Sequence, residues 1–452
     1  MTLPLFKEAA DLNFKFIRDK RFVTRTLKIG SNVYEETVPS SRFDLSPEKD
    51  FFVSYLGGKF LNQADKKLPR LCYIDLFCGG GGLSLGVHNA ARFLGFNPKL
   101  AVAADIDGAC LQLVRKHFKP IITRAKSVED LVSYEADFTG ALHDFVSAPV
   151  FADTQIAQLK GKIDLLVGGP PCQGHSNLNN KTRRSDPRNL LYLVMPAFAV
   201  GLKIPNIIIE NVRSINKAKE NVVEITKNIL KTYGYNVEEV ILNATDFGVA
   251  QNRIRHFLVA STNPMLGVDL LKSVFTNEKL SFDDVCDNLE PLKKSGIIEE
   301  ASNLSVENMD RVNFLHENKI FDLPNNERPI CHQEDHTYPS VYGRIHGHLP
   351  MLTVTTGFSS PGRGRYVHPH EKRVINIREA GRVQAFPDWY WDPAIELGLN
   401  RSAFTKIIGD AVPSLMAYPL MVSLFAKTNI HLISKPRATN LSAPPGTTVS
   451  NG

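Results

Sequence analysis

Cysteine is scarce in this chain. Its six thiols, Cys72, Cys78, Cys110, Cys172, Cys286 and Cys331, are scattered over 452 residues without dense spacing. That pattern excludes a disulfide-stapled scaffold and predicts a reducing compartment. Long apolar runs are also lacking: none reaches the ~18 to 20 residues that span a bilayer. The opening MTLPLFKEAADLNFKFIRDK is too interrupted by charge for a secretory leader. A soluble intracellular protein is the expectation. Hydrophobic residues at 43% and charged residues at 22% are ordinary globular values and exclude disorder or a collagen-like fibre as the overall state. At ~150 residues per domain the length implies two or three domains, or one large α/β unit with insertions.

The net charge of +6 is too mild to identify a polyanion partner. Its distribution is more informative: +8 over 1–260, −8 over 261–340 and +6 over 341–452. An acidic insert separates two basic blocks. Residues 1–70 lack a strong period, although FDLSPEKDFFVSYLGGKFL can carry a helix, and they read as an extension packed onto the rest of the chain. From residue 71 short apolar runs alternate with amphipathic stretches, the signature of βαβ units and a mostly parallel sheet. Strands are predicted at Leu71–Phe77, Leu100–Asp105, Ile163–Val167, Asn206–Glu210, Val237–Leu242 and Arg255–Ala260. The alternation fails at about 261, where the chain becomes polar and irregular. A Gly/Arg/His-rich section comes next, then a helix from about Ile377 and a last apolar helix at Ser402–Phe425. The Pro/Ser/Thr-rich end predicts a disordered tail.

Two loops carry chemical signals. In LCYIDLFCGGGGLSLGVHNAARFLG a strand runs into Gly79–Gly82 and then a helix. Glycines there allow a tight turn and a close approach of backbone to a ligand at the helix N-terminus. No Gly-Lys-Ser/Thr ends the turn, so it is not a P-loop. Asp105, after the second strand, stands where such folds hydrogen-bond ribose hydroxyls. Singly, such a turn is also compatible with no ligand. In IDLLVGGPPCQGHS, Cys172 comes after the third strand, behind Gly168-Gly169-Pro170-Pro171. The prolines fix φ and withhold N–H donors, leaving local carbonyls to a polar ligand. Cys72 and Cys110 read as small buried residues. A rigid polar turn is a poor place for packing and a good one for a nucleophile, so Cys172 reads as the reactive thiol.

With these loops in view the chain resembles the DNA (cytosine-5)-methyltransferases. DLFCGGGG is similar to that family's S-adenosylmethionine loop, GGPPCQGHS to its catalytic loop, IIIENV to its fourth-strand motif and QNRIR to its basic motif. REAGRVQAFPD and GDAVP are similar to its last two motifs, in the right order. The similarity runs from about residue 71 to 425 and is broken by 261–340. His175 stands where the family usually has Phe, Asp105 where Glu is common, and Asp410 where Asn is common.

The resemblance implies an α/β, Rossmann-like methyltransferase fold with a mostly parallel sheet and a smaller, irregular target-recognition domain. The implied parts are an N-terminal extension (1–70), a catalytic and cofactor-binding domain (71–260) and a variable recognition region (261–370, with the acidic insert 261–340). A segment completing the catalytic domain (371–430) and the tail (431–452) make up the remainder. It further implies that S-adenosylmethionine is the cofactor, double-stranded DNA the substrate, a cognate restriction endonuclease a partner, and the working form a monomer. Its place would be the cytoplasm, beside the nucleoid if the source is prokaryotic. No metal is expected, because Cys331-His332 with His336 lacks a second cysteine pair.

The resemblance assigns catalysis to Cys172, Glu210, Arg253 and Arg255. Cys172 would add to cytosine C6 and Glu210 would protonate N3, which needs a carboxyl pKa raised by apolar burial among Ile207–Ile209. Arg253 and Arg255, alternating along one strand, would share a face and contact the target nucleotide. The implied cofactor residues are Asp75, Phe77, Gly79, Gly81, Gly82, Asp105, Ile106, Asp137, Pro170, Asp410, Ala411 and Val412. The target base must leave the duplex stack to be reached. A basic loop with Arg183, Arg184 and Arg188 reads as a lid over the phosphate backbone, with Gln173, Ser176 and Gln251 also facing DNA. Because 261–340 is acidic, base reading is expected at 341–368, through Arg344, Thr353, Arg363 and Arg365, whose guanidinium forks suit guanine O6/N7. A tRNA methyltransferase of the same fold and a silent DNA-binding homologue are the alternatives; the Cys-Phe-Thr signature of the first is missing here.

Overall fold

Period-2 alternation governs the start of the chain. LNFKFIRD, FVTRTLKI and NVYEETVP form an antiparallel meander, β1 (Leu12–Asp19), β2 (Phe22–Ile29) and β3 (Asn32–Pro39). This corrects the aperiodic reading of 1–70. Two-residue turns join the strands, and their first residues, Lys20 and Gly30, have φ of +51° and +56°. Only the second offers a glycine as a signal. Helix α1 (Pro47–Leu56) comes next, N-capped by Ser46 with Pro47 in its first turn. The computed structural model describes residues 12–58, 67–137, 144–171, 187–275, 278–292, 296–333 and 340–426.

The six predicted strands all form. They are β4 (Arg70–Leu76), β5 (Asn97–Asp105), β7 (Leu165–Gly168), β8 (Asn206–Val212), β9 (Asn236–Asn243) and β10 (Ile254–Ser261), and they are joined by the short β6 (Ile122–Ala125). The sheet order is β9-β10-β8-β7-β4-β5-β6. Only β10 runs antiparallel to its neighbours. Strands on either side of β4 wind in opposite directions, so a crevice opens at the carboxyl ends of β4 and β7, where open α/β sheets take their ligands.

Both faces of the sheet are covered, so β4 is buried almost throughout. Tyr73 on one face joins a core built with α1, with α2 (Gly82–Phe93) and with the last helix; Ile74 on the other joins a core with Phe198 and Ile229. The predicted C-terminal helix is two helices, Arg401–Asp410 and Ala417–Phe425. Pro413, which cannot donate to a helix ladder, lies in the break. Taken as one stretch, 401–425 is long and apolar enough to span a membrane, but 89% of its apolar window is buried inside the protein.

The acidic insert is less irregular than its composition implies. It forms helices at Val268–Phe275, Phe282–Cys286 and Val306–Glu317. Its carboxylates meet partners from elsewhere in the chain: Asp284 the Lys49 ammonium, Glu299 the Arg378 guanidinium and Asp283 the His370 ring. A small separate cluster of Val312, Leu315, Leu323, Val341, Tyr342 and Val367 underlies the lobe after the insert.

Candidate active site and cofactor cleft

Glu210 ends the apolar run of β8 and is only 9% exposed. The antiparallel pairing sets Val212 opposite Arg255 and Glu210 opposite Phe257. Arg255 reaches back diagonally, its Nε 2.9 Å from Glu210 Oε1. Burial pushes the Glu210 carboxyl above its ordinary range, and the charges of Arg255 and Arg253 oppose that shift. The Gly-Gly-Pro-Pro turn presses on the same group: a Cβ at Gly169 would lie 3.0 Å from Glu210 Oε2. Asn211 Nδ2 donates to the Pro170 carbonyl at 3.2 Å and fixes the turn beside β8. A buried carboxyl with a raised pKa therefore sits against the turn that leads to Cys172. Cys172 itself, with Gln173, Ser176, Arg183 and Arg184, lies outside the described residues, as does the side chain of Arg188.

Arg253 departs from its expected role. It falls between a two-residue strand, Gln251–Asn252, and β10, so the two arginines do not share one strand. Its guanidinium is buried and donates to the carbonyls of Val354 (2.8 Å) and Gly409 (3.0 Å). It ties the basic motif to the segments closing the cleft.

The candidate cofactor cleft is assembled from two distant stretches. Phe77, at the end of β4, has φ of +58°, an unusual conformation for a residue with a side chain. Gly81, with φ of +83°, N-caps α2 without a side chain of its own, and in the first turn the Asp75 carboxylate takes the Ser84 N–H. Gly79 N donates to Asp105 Oδ2 at 2.8 Å and Asp107 N to Asp105 Oδ1 at 2.9 Å. Each Asp105 oxygen keeps accepting capacity for a further donor. Beside it Ile106 is 76% exposed, apolar surface left uncovered at the sheet's carboxyl edge. From the other end of the chain, Ala411 and Val412 arrive against α2: a Cβ at Gly82 would lie 2.7 Å from the Val412 carbonyl and 3.2 Å from Ala411 Cβ. Asp410 is exposed, 3.4 Å from Lys406.

Two expected cofactor residues are placed differently. Asp75 is 1% exposed and accepts from Ser84 Oγ at 2.5 Å, so it supports the glycine turn from beneath instead of lining the cleft. Burial lifts its pKa to about 7. Asp137 is exposed on a two-residue strand, opposite Asp144 of the neighbouring short strand.

The expected DNA-reading set is largely corrected. Gln251 is fully buried: its amide donates to the Val383 carbonyl and Gln384 and accepts from Val354 N. Arg344 donates to the carbonyls of Pro369 and Leu315 and stacks over Phe321. Arg365 donates to the carbonyls of Phe321 and Arg344 and pairs with Asp322. Thr353 Oγ1 donates to the Asn252 carbonyl. Arg363 alone of the three arginines is exposed.

Other residues emerge as supports of the cleft. Tyr390 OH donates to the Gly80 carbonyl at 2.6 Å, and its ring stacks on His117 at 3.9 Å. Gln384 Nε2 donates to the carbonyls of Ile408 and Ala411. Arg378 and Arg382 both bind the buried Asp388, which makes the REAGRVQAFPD stretch a scaffold. The aromatic run Trp389–Trp391 was a visible signal in the sequence, but it reads as plain core.

Among the described residues two groups have metal-ligand chemistry, Asp283/Asp287/His370 and His368/Glu371/Glu379. In the second, Arg373 already binds both carboxylates.

Comparison with known proteins gives a consistent picture. The profile of the C-5 cytosine-specific DNA methylases matches residues 71–426. Type II methyltransferase M1.BsuMI of Bacillus subtilis is 39% identical over 349 residues, covering 76% of this chain and 78% of that protein. Type II methyltransferase M.DdeI of Desulfomicrobium norvegicum is 27% identical over 407 residues, covering 80% and 90%. In fold, the chain is similar to a solved putative DNA modification methyltransferase from an E. coli prophage, with a TM-score of 0.53, 20% identity, and coverage of 78% of this chain and 98% of that one.

Proposed function

The chain belongs to the C-5 cytosine-specific DNA methylases, and from that premise we propose which of its residues carry each step. It is a site-specific DNA cytosine C5-methyltransferase that uses S-adenosylmethionine. When bound, that cofactor supplies an electrophilic methyl group on a sulfonium centre.

The cleft has the donor set for such a molecule. Asp105 has capacity for ribose hydroxyls, Ile106 offers an apolar surface to a purine face, and the start of α2 offers its remaining N–H groups. Val412 closes the opposite wall.

At the cytosine, the Cys172 thiolate adds to C6, forming an S–C6 bond while the electron pair of the C5–C6 double bond moves to C5. Glu210 holds a proton at N3 and so neutralises the charge that would build on the ring. Its burial keeps that proton available, and Arg255 steadies the carboxylate once the proton is given up. After methylation C5 loses its proton to a base, the double bond re-forms, and the thiolate leaves. The buried Glu210–Arg255 pair beside the Gly-Gly-Pro-Pro turn is the observation that carries this reading.

Duplex DNA incubated with methyl-labelled S-adenosylmethionine tests it. 5-Methylcytosine is expected from the wild type and none from Cys172→Ala; activity retained in that variant overturns the covalent route. Bisulfite sequencing of DNA from expressing cells then reads the target site. We further propose that the protein works as a cytoplasmic monomer and alongside a cognate restriction endonuclease; the Type II naming of both relatives supports the nuclease part. Light scattering with and without DNA, and protection of methylated DNA from a co-encoded nuclease, test the two parts.

A further inference from the structure

The meander and α1 lie outside the stretch matched by the family, which begins at residue 71, yet they are bonded to the walls of the cofactor cleft. We propose that this N-terminal module is a working part of the cleft and that Tyr55, on α1, is a positioning residue for cofactor binding. The inference rests on the assignment of Gly82 and Val412 to the cofactor cleft.

Hydrogen-bond direction links the module to the cleft. Ser414 Oγ donates to the Ala385 carbonyl at 2.8 Å, and a carbonyl can only accept. The single hydroxyl proton of Ser414 is thereby committed. Its contact with Tyr55 OH, at 3.3 Å, must then use the proton of the tyrosine. Tyr55 OH in turn accepts from Asn89 Nδ2 at 2.9 Å. The result is a directed chain from α2 through the N-terminal module to the segment that closes the cleft: Asn89, Tyr55, Ser414, Ala385. Every residue after the first is buried, where an unmade bond is expensive.

The chain meets both walls. Asn89 lies on α2, whose first residue, Gly82, faces the Val412 carbonyl. Ser414 is two residues beyond Val412, and α2 rides against it so closely that a Cβ at Gly86 would lie 2.2 Å from the Ser414 carbonyl. Movement of Ser414 therefore moves Val412. A second attachment holds the module in place: the buried Arg25 of β2 pairs with Glu36 and stacks on Tyr418 (4.0 Å), Phe93 (4.8 Å) and Phe51 (4.9 Å).

Tyr55→Phe keeps the ring and removes the hydroxyl. We expect the dissociation constant for S-adenosylmethionine, read by calorimetry, to rise about five- to tenfold, with kcat at saturating cofactor within about twofold of wild type. Asn89→Leu reads the other end of the chain and is expected to weaken binding in the same direction. The double variant Tyr55→Phe/Asn89→Leu should weaken it little further, because the two act in one chain. Thr24→Val, on the outer face of the meander, serves as the control and should change nothing. Gly82→Ala separates the two readings. If Gly82→Ala weakens cofactor binding while Tyr55→Phe and Asn89→Leu leave it unchanged, the positioning role is overturned and the cleft assignment stands. If Gly82→Ala also leaves binding unchanged, the cleft assignment itself fails. A lower melting temperature in Tyr55→Phe with an unaltered dissociation constant likewise overturns the proposal.

Discussion

The carboxyl edge of the central sheet and the 341–373 lobe both carry arginines, and they use them differently. Arg255 projects from β10, where strand pairing satisfies most of the backbone; its Nη1 donates to the Ile254 carbonyl at 2.8 Å and its Nε meets the Glu210 carboxylate. The lobe has a two-residue strand and isolated bridges at Arg344, Val367 and Val374 in place of a ladder. Its carbonyls need donors from elsewhere, and Arg344 and Arg365 supply them. In the lobe both arginines serve as struts across several carbonyls, whereas Arg255 spends one nitrogen on its neighbour's carbonyl and keeps another for the Glu210 carboxylate.

The largest effect that could break this contrast is at Glu210. Glu210→Gln keeps the shape and loses the titrating proton, so kcat should fall about 10²- to 10⁴-fold in a methyl-transfer assay. Because burial raises this carboxyl, the wild type keeps its proton to higher pH than an ordinary glutamate. Its rate should decline on the alkaline side as that proton is lost. A Gln variant with near-wild-type kcat would mean that the Arg255–Glu210 pair is itself a strut.

Next in size is Arg365→Ala, which strands two carbonyls and Asp322. A loss of about 1–3 kcal/mol in chemical denaturation is expected, with the bisulfite-read target site unchanged. A changed target site at unchanged stability would return Arg365 to the bases.

Asp75 offers a pH test of a buried support. Its carboxyl titrates near 4 when unfolded and at about 7 when folded. The folded state therefore holds an extra proton between those values, and stability contributed by Asp75 falls as pH rises through that window. Asp75→Asn should lack that slope, so denaturation midpoints of variant and wild type should diverge in the variant's favour towards pH 7. Parallel curves would place the titration elsewhere.

The smallest effect belongs to exposed Arg363. Arg363→Ala should leave the melting temperature unchanged and lower the salt dependence of DNA binding by about one phosphate contact.

Much of the site could be read before any coordinates. Apolar strand runs are self-announcing when both faces of a sheet are buried; Glu210 and Asp105 lie at the ends of two such strands, Gly79 in the turn after a third, and Val412 in the break between the last two helices. The meander of 12–39 was hidden because its first turn uses Lys20 in a left-handed conformation with no glycine to mark it. The roles of Arg253, Arg344, Arg365 and Gln251 were hidden for a different reason. A polar side chain near a ligand edge and one holding a backbone carbonyl have the same letter in the sequence, and only the count of unpaired carbonyls nearby distinguishes them.

The contact between Gly82 and Val412 also has a consequence in time. The two walls of the cleft are separated by about 330 residues of chain, which a ribosome needs roughly 15 to 70 s to add. Until the 401–425 segment emerges and docks on α2, the nascent chain has a glycine turn and no opposite wall. The proposed cofactor cleft is therefore complete only once the C-terminal helices have docked on α2.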